Sequence, residues 1–125
     1  RLTGNAMLME FIGDADGAAP KLHEVTLRPE EVRPLFDRVM RNVELLMRLN
    51  CIHGDLSAYN ILYWHGSLTI IDFPQTVDPR ANPHAFELLT RDMENVYRYW
   101  SRYELKANPT IMAHHLWNRF QRSEL

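Results

Sequence analysis

Apolar residues recur at steps of three and four from Val32 through Leu35, Phe36, Val39, Val43 and Leu46, the spacing that lines one face of a helix. Pro29 suits the first turn of that helix, and Glu30 and Glu31 suit its positive end, so the helix is predicted to open there. Pro34 is compatible with it only within the first turn or so. Leu45, Leu46, Met47 and Leu49 widen the apolar face toward the end, which predicts burial on several sides. A second stripe, Phe86, Leu89, Met93, Val96, Trp100 and Tyr103, predicts a helix capped by Asn82-Pro83. Its far end is indistinct. Asn108-Pro109 then starts a last helix carrying Ile111, Leu116, Trp117 and Phe120.

Elsewhere the pattern is that of strands and loops. Ile61 to Trp64 and Leu68 to Ile71 flank His65-Gly66-Ser67, which predicts a tight β-hairpin. Ala6 to Ile12, apolar except at Glu10, reads as a short buried strand. Gly13 to Pro20 reads as a flexible linker from its Gly, Asp and Pro content. Asp14, Asp16 and Gly17 look like the start of a calcium loop, but its later ligands and closing Glu are missing. The sum is one α+β domain, mostly helical, with one hairpin.

Composition narrows this picture a little. A chain of 125 residues supports one domain with a modest core, and a net charge of −2 argues against a broad nucleic-acid footprint. The single Cys51 cannot form an internal disulfide, which fits a reducing cytoplasm. No apolar run approaches the length of a bilayer-spanning helix, and no signal peptide is visible. Arg1 in place of Met leads us to expect a piece of a longer protein.

The chemistry lies in Cys51-Ile52-His53-Gly54-Asp55-Leu56-Ser57-Ala58-Tyr59-Asn60 and Ile70-Ile71-Asp72-Phe73-Pro74. A carboxylate, a carboxamide five residues on and a second carboxylate after a hairpin form the pattern of a protein-kinase catalytic loop and metal-binding motif. Gly54 stands where arginine is usual, and Pro74 where glycine is usual. Asp55 alone could be a turn residue, Asn60 could satisfy loop backbone, and Asp72 at a strand tip must be paired, hydrogen-bonded or metal-bound if buried. Their joint spacing favours phosphoryl transfer, which needs an aligned nucleophile and charge neutralisation more than covalent chemistry.

His53 to Asn60, Ile71 to Gln75 and Arg91 to Val96 together resemble the RIO family of atypical serine/threonine protein kinases. Met7 to Gly13 resembles that family's hinge strand, so the likeness runs over nearly the whole chain. It implies residues 1–13 as hinge strand and linker and 14–125 as a kinase-like C-terminal lobe, with ATP and Mg²⁺ as ligands. It further implies Asp55 as the catalytic residue and Asn60 and Asp72 as metal ligands. Backbone groups of Glu10 and Ile12 would face the adenine, and Ser57 would hold a phosphate or metal-bound water, or else be a plain turn hydroxyl. His53 would pack beneath the loop, and Asp92 would accept hydrogen bonds from catalytic-loop N–H groups, Arg91 pairing with it only weakly. His65, His84, His114 and His115 read as structural or surface residues.

No Gly-rich phosphate loop or strand lysine precedes the hinge in these residues, so the N-terminal lobe is expected to be absent and the piece inert alone. The interval from Phe73 to Asn82 is too short for an ordinary activation segment, which directs attention to a folded protein partner or to ATP hydrolysis. The resemblance ties partners to small-ribosomal-subunit maturation, while the short apolar runs and the near-zero net charge lead us to expect no membrane or DNA partner. Two rivals remain: a phosphotransferase lobe of the aminoglycoside or choline type, and a half-kinase that only scaffolds.

Overall fold

A computed structural model of the chain describes residues 13, 14 and 17–125. The elements run β1 (Gly13–Asp14), β2 (Gly17–Ala18), α1 (Pro29–Arg48), β3 (Ile61–Trp64), β4 (Ser67–Ile70), α2 (Ala85–Trp100) and α3 (Pro109–Gln121), with short 3₁₀ turns at Leu22–Glu24, Ala58–Asn60 and Ser101–Tyr103. This is the mostly helical α+β fold expected. The strand expected at Ala6 to Ile12, with Glu10 and Ile12 in it, lies outside the described residues.

Helix α1 opens at Pro29, where the Arg28 amide donates to the Glu31 carboxylate at 3.0 Å. Pro34 falls in the second turn, deeper than expected. The position is exposed, and the proline removes the donor that would meet the Glu30 carbonyl, a cost the buried face outweighs. That face is Leu35, Phe36, Val39, Val43 and Met47. The expected burial on several sides does not occur: Leu45 is 39% and Leu49 70% exposed, because the loop that follows α1 covers only the Val43–Met47 side.

Within the stretch expected as a linker, Gly13–Asp14 and Gly17–Ala18 are strands. β1 and β2 pair antiparallel, Gly13 opposite Ala18, and the Pro20 carbonyl then accepts from the Tyr63 amide at 3.0 Å. The chain is thereby stitched to the outer edge of β3. The β3–β4 turn is tighter than His65-Gly66-Ser67, since Ser67 already pairs with Trp64. His65 and Gly66 both carry positive φ (49° and 77°), the two-residue turn whose twist suits a hairpin.

Helix α2 starts at Ala85, not at Asn82-Pro83, which forms a turn in which the Asn82 side chain accepts from the His84 amide at 2.7 Å. Leu89, Met93, Val96, Tyr99 and Trp100 are buried, and Trp100 meets Phe36 of α1 edge to face at 5.5 Å. The Trp100 indole N–H also donates to the Val32 carbonyl at 2.9 Å, so α1 and α2 are joined through large side chains. Asn108 caps α3 by accepting from the Ile111 amide at 3.1 Å, but Ile111, expected in the apolar face, is exposed. Among the described residues no helix is long and apolar enough to cross a membrane. Cys51 is a buried free thiol whose pKa burial pushes up.

Candidate functional site

The segment from Cys51 to Asn60 lies on α1 and α2, with Val43 and Met47 on one side and Leu89 and Asp92 on the other. Its N-terminal end is held by an antiparallel bridge between Ile52 and Val77, each amide donating to the other's carbonyl at 2.9 Å. The stretch that follows Asp72 therefore returns alongside the stretch that precedes Asp55.

Asp92 is only 2% exposed, and its carboxylate accepts from two backbone amides of the loop. Oδ2 accepts from the Gly54 N–H at 2.8 Å and Oδ1 from the Leu56 N–H at 3.0 Å. Buried amides need acceptors, and a helix carboxylate supplies two at once. Burial pushes the Asp92 carboxyl above the ordinary aspartate range, against the opposite pull of those two amides. Arg91 does not pair with Asp92. Its guanidinium donates to the Gly54 carbonyl at 2.7 Å, so both polar faces of the Gly54 peptide are bound by neighbouring residues of α2.

Gly54 itself has φ of 88° and lies against the Gln75 backbone, where an added Cβ would collide with the carbonyl. This accounts for the missing arginine of the usual kinase pattern: the position has no room for a side chain.

His53 is 2% exposed and bridges the two motifs. Its Nδ1 accepts from the Asp55 amide at 3.1 Å, which leaves Nε2–H to donate to the Ile71 carbonyl at 2.8 Å. The histidine thus links the backbone of Asp55 to the residue before Asp72. Phe73 tilts against its ring at 5.1 Å.

Asp55 is exposed beyond this scaffold. Asn60 reaches back to it, Nδ2 donating to the Asp55 carbonyl at 2.5 Å and lying 3.4 Å from carboxylate Oδ2. With its N–H groups so engaged, the Asn60 amide oxygen has no protein partner among the described residues. The Ile71 amide donates to the Asn60 carbonyl at 2.9 Å, extending the hairpin ladder to the edge of Asp72. Asp72 is exposed rather than buried, so nothing compels a partner for its charge. It has φ of 60°, a left-handed conformation that Asp tolerates better than most residues. The free Asn60 amide oxygen and the exposed Asp72 carboxylate are hard oxygen donors, the type that Mg²⁺ takes. Among the described residues no three His, Cys, Asp or Glu side chains gather into a metal cluster, His114 and His115 included.

The Ser57 hydroxyl oxygen accepts from the Tyr59 amide at 3.1 Å, the turn role, and the residue also lines a groove toward α2. Sequence reasoning did not single out that groove. It is walled by His23 and Arg102, too isolated in the chain to form a motif.

A catalytic loop anchored on a helix carboxylate and joined by a hairpin to a second carboxylate defines a protein-kinase-like C-terminal lobe. The model of the RIO domain matches residues 1–112, and the chain belongs to the RIO family. It is 35% identical over 103 residues to the serine/threonine-protein kinase rio1 of Schizosaccharomyces pombe, covering 81% of this chain and 20% of the relative. Human serine/threonine-protein kinase RIO3 is 35% identical over 102 residues, again 81% of this chain and 20% of the relative. The RIO-type kinase Rio1 of Haloferax volcanii is 37% identical over 98 residues, covering 78% and 33%. The chain thus spans about a fifth of the length of the first two relatives. Among solved structures it is similar to the Rio2 kinase–ADP/Mg²⁺–phosphoaspartate complex of Chaetomium thermophilum, with TM-score 0.63, 25% identity and 78% and 32% of the two chains covered.

Proposed function

We propose that this chain forms the C-terminal lobe of a RIO-type phosphotransferase, which moves the γ-phosphoryl of ATP to a protein serine or threonine hydroxyl or to water. The observation that carries this reading is the Asp55–Asn60 pair, held by Asp92 and joined through His53 to the Asp72 segment. Asp55 projects from a backbone fixed on both sides, so its carboxylate addresses the incoming hydroxyl with little freedom to lose. It accepts or orients the hydroxyl proton as the nucleophile attacks. Asn60 and Asp72 hold Mg²⁺, which when bound neutralises charge on the transferring phosphoryl group. Ser57 contributes a hydroxyl to the phosphate side, and the backbone of Glu10 and Ile12 takes the adenine edge.

The ADP, Mg²⁺ and phosphoaspartate of the Rio2 complex support ATP and Mg²⁺ as ligands here. A phosphorylated aspartate in that relative also fits a turnover ending in ATP hydrolysis. Family membership favours this reading over a small-molecule phosphotransferase.

The test is Asp72→Asn in the intact protein that contains this chain. Phosphoryl transfer should be abolished, and Mg²⁺ should no longer tighten nucleotide binding, with the melting curve nearly unchanged because Asp72 is exposed. Parent-like turnover in that variant would mean that Asp72 is not a metal ligand.

A further inference from the structure

A groove of about 180 Å³ opens between the catalytic loop and α2, lined by His23, Ser57, Tyr59, Asn95, Arg98 and Arg102 among others. Its floor belongs to one helical face. Arg91, Asn95 and Arg98 of α2, and Arg102 of the 3₁₀ turn that continues it, follow at steps of four, three and four, the spacing of residues that stack on one side of a helix. The first of them grips the Gly54 carbonyl beside Asp55, so this polar strip begins at the catalytic loop. Arg98 and Arg102 are exposed and form no ion pair with any described residue, and the Arg102 guanidinium carbon sits over the Tyr99 ring, 4.5 Å from its centroid. That stacking holds the guanidinium in place without using its N–H donors.

The opposite wall is aromatic. Tyr59, 56% exposed, stacks on His23 with centroids 4.0 Å apart. His23 Nδ1 is sealed from solvent and has no hydrogen-bond partner among the described residues.

We infer that this groove docks an anionic protein segment, above all one bearing a phosphorylated residue, and thereby positions the acceptor hydroxyl at Asp55. The inference rests on the phosphotransfer reading for its purpose but not for its binding chemistry. Two unpaired guanidiniums on one helix face suit a phosphate or carboxylate. From Arg91 to Arg98 the helix rises by roughly 10 Å, about three residues of extended chain. The anionic residue therefore lies about three residues from the acceptor. A peptide is favoured over nucleic acid because the cationic strip is narrow and the chain's net charge is −2.

The experiment is an anisotropy titration of the intact protein with fluorescent peptides. Each carries an acceptor serine and, three residues to either side, phosphoserine, alanine or lysine. The phosphoserine peptide should bind about tenfold tighter than the alanine peptide. Arg98→Ala with Arg102→Ala should erase that difference, and Arg98→Glu with Arg102→Glu should transfer the preference to the lysine peptide. Thermal melts verify folding. If the alanine double variant melts below the assay temperature, Arg98→Gln alone should still weaken phosphoserine binding about threefold. Equal binding of phosphoserine and alanine peptides, or a difference that survives the variants, overturns the inference. So does tighter binding of a single-stranded oligouridine than of the phosphopeptide. Because the titration needs no turnover, phosphopeptide binding without any ATP turnover, to peptide or to water, would contradict the phosphotransfer reading and support the groove.

Discussion

Asp92 and Gly54 lie 38 positions apart in the chain and are joined by a buried hydrogen bond of 2.8 Å from the glycine amide to the carboxylate. The second oxygen of the same carboxylate takes the Leu56 amide, so one helix side chain sets the backbone on either side of Asp55. The loop's geometry is thus inherited from the helix beneath it, while the Asp55 carboxylate stays exposed.

Asp92→Asn tests this arrangement. The amide has one acceptor atom and must turn its NH₂ toward the other backbone donor, leaving a buried amide unpaired. The expected loss is about 1–3 kcal/mol of stability. Chemical denaturation, together with faster hydrogen exchange at Gly54 and Leu56, would register it. Unchanged exchange at both amides would mean that the carboxylate does not hold the loop.

Gly54→Ala should be more damaging than an ordinary surface substitution. The residue sits at φ of 88°, and a Cβ would meet the Gln75 carbonyl, so the Pro74–Gln75 turn must move. A cost of about 1–3 kcal/mol is expected, with reduced turnover because that turn follows Asp72. A variant as stable as the parent would show that the turn can yield freely.

Much of this site was legible in the sequence because its parts are close together in the chain. Asp55 and Asn60 belong to one loop, and Asp72 is one hairpin away, so spacing alone brings them near. The Asp92 anchor was legible only through the resemblance, since a buried helical Asp has no local signature. The true partner of Arg91 was missed because its target, the Gly54 carbonyl, is a backbone atom with no mark in the sequence. Helix stripes located α1, α2 and α3, yet the stripe overstates burial at Leu45, Leu49 and Ile111, where no element among the described residues arrives. The turn at His65-Gly66 was placed one residue too long, because both residues adopt positive φ and only glycine announces it. The paired ends of Gly13 to Pro20 escaped notice because Gly and Asp favour loops and turns as readily as a two-residue ladder.

The tie between hairpin and first helix should be pH-sensitive. The Tyr63 hydroxyl donates to the Glu31 carboxylate, and that bond, with the Arg28 amide, holds the Glu31 carboxyl below the usual glutamate range. A lowered folded-state pKa gives stability that is present above the unfolded value and lost as pH falls through the folded one. The same bond raises the Tyr63 pKa, so its contribution is present at neutral pH and lost as pH rises past the ordinary tyrosine range. Tyr63→Phe should cost about 1–2 kcal/mol at neutral pH, read from denaturation midpoints. It should also flatten the acid limb of the stability profile. A parent-like acid limb in the variant would remove this bond from the account.

The most direct measurement is the turnover of Asp55→Ala in the intact protein at saturating Mg²⁺-ATP, beside a nucleotide titration of the same sample. In the proposed function Asp55 addresses the nucleophile while Asn60 and Asp72 hold the metal, so the effect of its loss should fall on the transition state. The account predicts that turnover drops by at least about a hundredfold, while Mg²⁺-ATP affinity stays within about one order of magnitude, roughly 1.4 kcal/mol. Turnover within a few-fold of the parent, or turnover and affinity lost together in a folded protein, would contradict it.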